Sequence, residues 1–293
     1  MKNLVAIAAV TLAAGGAYAQ SMPMGSIPQG FEFSGDIDYS YAFNSTGNES
    51  FGLAEFRLGY RHEFNNDMSV TLGVRSLSIF GGIGDETEFD FYGFIGFRNF
   101  QVGYGAIDNA AARFDWRFAE FENTYFDLYA IPAPIGRYIE FRFLTDVIRV
   151  DAQFGNFDMS ASYSDDAELF SVAGETQFGN TRVLAAAEFF EGSSFSAWTV
   201  AANHTMGAFE IGGTIGLLQD GGSSEFITTL AAAYHINDAL SVKGIYSTFD
   251  SFDIWELSAT YAINEMFSIG ASVGGSNDFG GEEIFGINAK ARF

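Results

Sequence analysis

At the end of this chain Phe285, Ile287, Ala289, Ala291 and the terminal Phe293 alternate with Gly286, Asn288, Lys290 and Arg292. The same two-residue period governs the other end, where Phe31, Phe33, Ile37, Tyr39, Tyr41 and Phe43 alternate with Glu32, Ser34, Asp36, Asp38, Ser40 and Ala42. Successive side chains of a strand point to opposite faces, so each end reads as a strand built for two different solvents. A soluble sandwich or the wall of a barrel in lipid would satisfy that pattern. Beyond residue 19 no stretch approaches the roughly 20 consecutive apolar residues of a transmembrane helix.

Residues 1–19 read as a secretory signal peptide that is cleaved: Lys2 begins it, an apolar run extends from Leu4 to Ala14, and Ala17-Tyr18-Ala19 forms the small-residue site before Gln20. The rest, 20–293, reads as one domain with no linker. It is an exported chain without cysteine, so disulfides cannot staple it. The full sequence has a formal charge of −23, from 14 Lys and Arg against 37 Asp and Glu, which disfavours nucleic acid as a partner.

Short polar turns fall at Asn65-Asn66-Asp67, Asn99-Phe100, Gly155-Asn156, Gly179-Asn180, Gly207-Ala208, Asn237-Asp238 and Asn264-Glu265. Longer connections lie near 44–51, 81–87, 108–146, 165–169, 191–195, 219–225, 250–253 and 275–283. Seven turns and eight loops join sixteen antiparallel strands and bring both termini to the turn side. The expected fold is all-β: a 16-stranded antiparallel transmembrane β-barrel with the pattern of the bacterial outer membrane. Interior segments keep the period, as in Trp255, Leu257, Ala259 and Tyr261 against Glu256, Ser258, Thr260 and Ala262. Phe64, Phe97, Phe100, Phe154, Phe157, Phe178, Phe209, Tyr234, Tyr261 and Phe267 flank the short turns like an interfacial girdle.

On these features, with Ser34-Gly35-Asp36, Gln101-Val102-Gly103-Tyr104-Gly105, the stretch from Val147 to Asp165 and the terminal Phe293, the chain resembles the general diffusion porins of Gram-negative outer membranes, most closely the α-proteobacterial, Rhodobacter-like ones. The resemblance covers the whole mature chain. It implies a homotrimer in outer-membrane lipid and lipopolysaccharide, periplasmic termini, and Phe293 as the signal read by the barrel-assembly machinery. It also implies a long third loop folded into the lumen, whose carboxylates oppose basic wall residues. No Pro-Glu-Phe-Gly-Gly stretch of the enterobacterial relatives occurs in that loop.

The connection from Asp108 to Asp146 fits this role, since a long apolar loop is not expected to float in solvent. Its carboxylates Asp115, Glu120, Glu122 and Asp127 are the candidate constriction acids, and Arg57, Arg61, Arg75 and Arg98 the candidate wall cations. Opposed charges across a narrow pore would order water and favour hydrophilic solutes. The same arginines could instead pair with Glu55, Glu63, Glu88 and Asp90. Acidic lumen positions, including Glu32, Asp36, Asp38, Asp158, Glu175, Glu188 and Glu210, predict mild cation preference. The expected function is passive diffusion of small hydrophilic solutes and ions. The alternatives are a sugar-selective channel using Trp116, Tyr125 and Tyr129, and an outer-membrane lipid hydrolase.

No catalytic residues, metal ligands or cofactor are expected. His62, His204 and His235 fall on lipid-facing or strand-end positions, without a nucleophile motif. Acidic loop clusters at Asp165-Asp166-Glu168 and Glu282-Glu283 leave open a calcium ion or divalent bridges to lipopolysaccharide.

Overall fold

The computed structural model describes residues 30–293 except 45–46, 66–67, 82–85, 115, 117, 119, 123–144, 251 and 278–282. The leader assigned to residues 1–19 lies outside the described residues. The first five strands are β1 (Phe31–Phe43), β2 (Asn48–Asn65), β3 (Met68–Gly81), β4 (Glu86–Phe97) and β5 (Phe100–Gly105). After the long connection come β6 (Val147–Phe154), β7 (Phe157–Ser164), β8 (Leu169–Phe178), β9 (Thr181–Phe190), β10 (Ser196–Met206) and β11 (Phe209–Asp220). The last five are β12 (Ser223–His235), β13 (Leu240–Phe249), β14 (Phe252–Ala262), β15 (Phe267–Ser276) and β16 (Glu283–Arg292).

Each strand pairs antiparallel with its sequence neighbours, and β1 pairs with β16, so sixteen strands form a closed barrel. The seam runs from Asp36↔Arg292 to Phe43↔Phe285. Phe293 extends it: its N–H donates to the Gly35 carbonyl at 3.0 Å, and Gly35 N–H donates to the Phe293 carbonyl at 2.8 Å. The Phe293 ring stacks on Phe33 at 5.5 Å and lies where a Cβ on Gly35 would fall, 2.9 Å from the ring. The terminal aromatic therefore fastens the two ends of the chain together.

The two faces separate as the alternation requires. Phe89 and Phe91 are 70% and 73% exposed and project outward. Trp198, Val200, Ile215, Leu230, Trp255 and Leu257 do the same farther round. Between the outward residues of β14, Glu256 and Ser258 are buried on the inner face. Around the short turns Phe64, Phe97, Phe100, Phe154, Phe178, Phe209 and Tyr261 are exposed, as a ring of interfacial aromatics would be.

Two details differ from the sequence reading. The connections expected at 44–51 and 219–225 shrink, because β2 begins at Asn48 and β12 at Ser223. Where both faces of a strand are wet, polar runs such as Ser223-Ser224-Glu225 stay in the ladder, and alternation gives no sign of it. Arg98 is not on a strand face but in the β4–β5 turn, with φ +52° and its guanidinium over the Phe97 ring. His235 ends β12, a strand-end position as expected; its neighbour Tyr234 is cross-strand to the outward Phe209, and the imidazole lies 3.6 Å from inner Glu210.

The chain leaves the wall at Gly105, where φ is +107° and an added Cβ would meet the Phe91 carbonyl oxygen at 2.2 Å. Only glycine fits both conditions. Gly105→Ala is expected to cost about 1–3 kcal/mol of stability from the backbone alone. Urea unfolding of the variant against the parent checks this.

Candidate functional site

The departure point decides what the next residues can reach. Ala106 N–H still donates to the Phe91 carbonyl at 2.9 Å, and Ile107 packs with Val147, Tyr92 and Phe94. Gly103 makes room, since a Cβ there would meet the Phe94 ring at 2.3 Å. The chain thus turns onto the inner face of the wall and presents Asp108 to the arginines of β2, β3 and β6.

Arg57 and Arg75 are direct cross-strand partners, a like-charge pairing that is unfavourable alone. Two carboxylates offset it. Arg57 Nη2 donates to both oxygens of Asp108, at 2.7 and 2.9 Å, and Arg75 Nη1 lies 3.1 Å from Oδ1. Glu55 accepts from Arg57 Nε and from Arg75 Nη2, the latter at 2.9 Å. Arg149 donates to the Asp108 backbone carbonyl at 2.7 Å and pairs with Asp151, which also accepts from Ser160 Oγ at 2.7 Å. Arg113 closes the network with two 2.9 Å bonds to Asp158, while its Nε lies 3.4 Å from Asp151. Four guanidinium groups face four carboxylates, so the cluster is balanced. Burial alone would push the Asp108 carboxyl up, yet Arg75, Arg57 and Arg149 hold it well below the usual carboxylate range.

From this anchor the segment follows the wall. Ala110 N–H donates to Ser162 Oγ at 2.8 Å and Ala111 N–H to Ser171 Oγ at 3.1 Å, both inner-face serines of β7 and β8. Trp116 is buried, with its indole N–H donating to the Ala111 carbonyl at 2.8 Å. It packs with Ala111 and Phe114 on Ala173, Leu184, Ala186 and Ala201, an apolar patch on the inner faces of β8 to β10. The Phe118 ring covers Gly212 of β11, where a Cβ would come within 2.8 Å. Phe121 lies in a cluster with Ala231, Ile245, Ile254 and Ile284.

A second polar anchor receives the far end. Lys243 donates to the Glu120 carbonyl, Asn288 to the Glu122 carbonyl at 2.8 Å, and Glu122 N–H donates to Glu256 Oε1 at 2.9 Å. The Glu122 carboxylate lies 3.2 Å from Lys290 and 4.0 Å from Lys243, and Lys290 also reaches Asp38 at 3.5 Å. Asn288 spans the gap because Gly270 beneath it has no side chain; a Cβ there would lie 2.0 Å from Asn288 Oδ1. Burial tends to raise the Glu122 carboxyl, but Lys290 and Lys243 outweigh it and hold it below its ordinary value.

Of the candidate constriction acids, Glu120 and Glu122 therefore lie against the β13–β16 wall, and Asp115 and Asp127 lie outside the described residues, as do Tyr125 and Tyr129. Of the candidate wall cations, Arg57 and Arg75 share Asp108 and Glu55. Arg61 pairs with Glu63 at 3.3 Å near the turn side, and Arg98 is a turn residue. The two basic groups that hold Glu122, Lys243 and Lys290, were missed, as were Asp108, Arg149 and Asp151. Parity alone would have placed Arg149 and Asp151 inside, on either side of Val150, but nothing in the sequence says that Asp108 reaches Arg149. Several inner carboxylates are paired: Asp36 with Arg292, Glu175 with Arg182, and Glu210 with Asn203 and His235. At the outer loops Asp166 accepts from both the N–H and the hydroxyl of Thr145, and these bonds lower its carboxyl pKa. Among the described residues no three His, Cys, Asp or Glu side chains group as a metal site.

Asp108→Asn would leave Arg57, Arg75 and Arg149 short of one negative charge in a buried cluster. Breaking such a pair costs about 3–5 kcal/mol, so a lower urea midpoint is expected. A second expectation follows from Glu122. Its lowered carboxyl means the lysine contact contributes above the ordinary value of 4.5 and is lost as pH falls through the lower folded value. Proteolytic resistance of the long connection should stay flat from pH 7 to about 5 and fall only in stronger acid. Glu122→Gln should abolish that acid step.

Residues 6–292 match the family model described as Gram-negative porin. Among solved structures, a triple-substituted porin of Rhodopseudomonas blastica aligns with a TM-score of 0.67 at 14% identity, over 90% of this chain and all of that one. A loop-deletion form of OmpT, an outer membrane protein of Vibrio cholerae, aligns with a TM-score of 0.66 at 15% identity, over 90% and 99% of the two chains. No curated protein matches the chain.

Proposed function

Because the chain belongs to the Gram-negative porin family, whose fold and membership indicate an outer-membrane channel rather than an enzyme, we propose that its barrel passes small hydrophilic solutes and ions by passive diffusion with mild cation preference. The observation that carries this reading is the inner wall. It is lined by ionised and hydroxyl groups from many strands, while the outer wall is apolar. A barrel of 16–18 strands leaves an aqueous lumen unless something fills it. In this reading the connection that follows Gly105, whose described residues up to 122 contact the inner wall, narrows that lumen. Its balanced ion pairs lie on the inner wall, and opposed fixed charges on a solute path favour hydrated polar solutes over apolar ones.

The cation preference rests on the acidic excess, 37 Asp and Glu against 14 Lys and Arg. Much of the inner-wall acidity is matched by arginine or lysine, so the preference is modest. Trp116 supports diffusion over a sugar-selective slide: its ring is buried and its N–H is used within the segment, so it offers no stacking face. In this reading residues 1–19 are removed on export, both termini face the periplasm with the short turns, and three copies assemble in lipid and lipopolysaccharide. Phe293 then both closes the seam and serves the assembly machinery.

The test is reversal potential and single-channel conductance in planar bilayers across a potassium chloride gradient. Ohmic steps with a cation-side reversal potential are expected. Glu120→Gln with Glu122→Gln should move it toward zero. Anion selectivity of the parent would overturn the preference, and a folded barrel without conductance would overturn the channel.

A further inference from the structure

On the turn side of the arginine network the inner wall opens into a bay of about 260 Å³ between β2 and β7. Arg61, Glu63, Arg113, Asp158, Gln101 and Gln153 are among its lining residues. We propose that this bay is a weak binding subsite for small zwitterions of the amino-acid or dipeptide class, which pause there on their way through the lumen. The proposal rests on the reading of the lumen as a solute path.

The charges of the bay divide into two kinds. Arg113 and Asp158 are locked by two parallel 2.9 Å bonds and backed by Asp151, so they form a fixed dipole at the loop end. Arg61 and Glu63 behave differently. Their side chains are 48% and 67% exposed and meet at 3.3 Å. An ion pair so open to water contributes about 1 kcal/mol or less, and a solute can exchange into it at little cost. A zwitterion replaces both halves at once: its carboxylate takes the forked guanidinium of Arg61, and its ammonium takes the carboxylate of Glu63. An anion alone would leave Glu63 without its counter-charge, and a cation alone would do the same to Arg61.

Geometry adds two further points. Arg61 and Glu63 are alternate residues of β2, so both point inward, and the β2–β3 register shifts between Glu63 and Asn65. The amides of Gln101 and Gln153 offer donors and acceptors of the kind a peptide bond requires. The volume admits a molecule of a few heavy atoms more than an amino acid and is below the range of about 300–1,000 Å³ typical of drug-sized ligand sites. Weak, transient binding is what such a site provides.

The experiment records potassium chloride conductance of the full barrel in planar bilayers while glycylglycine is added at neutral pH, with sodium acetate and glycerol as controls. Glycylglycine should depress the current saturably, whereas acetate and glycerol should not saturate. Arg61→Gln and Glu63→Gln should each weaken the half-saturating concentration at least about threefold. The exchanged pair Arg61→Glu with Glu63→Arg should recover most of it, since a zwitterion binds either polarity. Each variant is compared with its own current in potassium chloride alone. Saturation by acetate as strong as by glycylglycine, or single variants indistinguishable from the parent, would overturn the subsite while leaving the channel intact. A folded parent that conducts no potassium chloride would remove the channel reading and the subsite together.

Discussion

Backbone amides cannot be left unpaired in hydrocarbon, and the whole molecule follows from meeting that demand with strands. Sheet edges must disappear, so β1 has to find β16 across the full length of the chain. The seam is reinforced where it begins, by paired main-chain bonds between Gly35 and Phe293 and by the Phe293 ring on Phe33. Once the barrel is closed, strand alternation dictates an apolar outer wall and a polar inner wall without further specification.

Closure creates a second problem, because sixteen strands enclose more space than their own side chains fill. The chain answers it by leaving the wall at Gly105 and laying the described residues of the stretch up to Glu122 along the inner face. Hydrogen bonds to Ser162, Ser171 and Glu256 and from Lys243 and Asn288 fix the path, and an alanine-lined patch receives Trp116 and Phe114. The charges at the two anchors have different physical roles. Asp108 relieves repulsion between neighbouring arginines, so it holds the wall together as much as the loop. Glu122 is clasped by lysines from β13 and β16 and fastens the far end of the segment.

Strand number, strand faces and the aromatic ring could be read from the sequence because each depends on local alternation and on turn residues such as Gly155-Asn156 and Asn237-Asp238. Strand ends above the membrane could not, since polar residues there occupy both faces, as at Asn48 and Ser223. The candidate site was half legible. Inward arginines such as Arg57 and Arg75 follow from parity, but their partner Asp108 comes from a connection whose path depends on contacts far away in sequence. Lys243 and Lys290 were passed over for the same reason: they lie more than 100 residues from the glutamates they hold.

The most direct measurement is site-resolved amide hydrogen exchange of the refolded barrel. The N–H groups of Ala110, Ala111 and Glu122 are bonded to Ser162, Ser171 and Glu256. Protection of these amides approaching that of the flanking strands, and its selective loss at residue 110 in Ser162→Ala and at residue 111 in Ser171→Ala, is the predicted result. Exchange of all three at the rate of an open loop, in a barrel whose strands remain protected, would contradict a segment fixed along the inner wall.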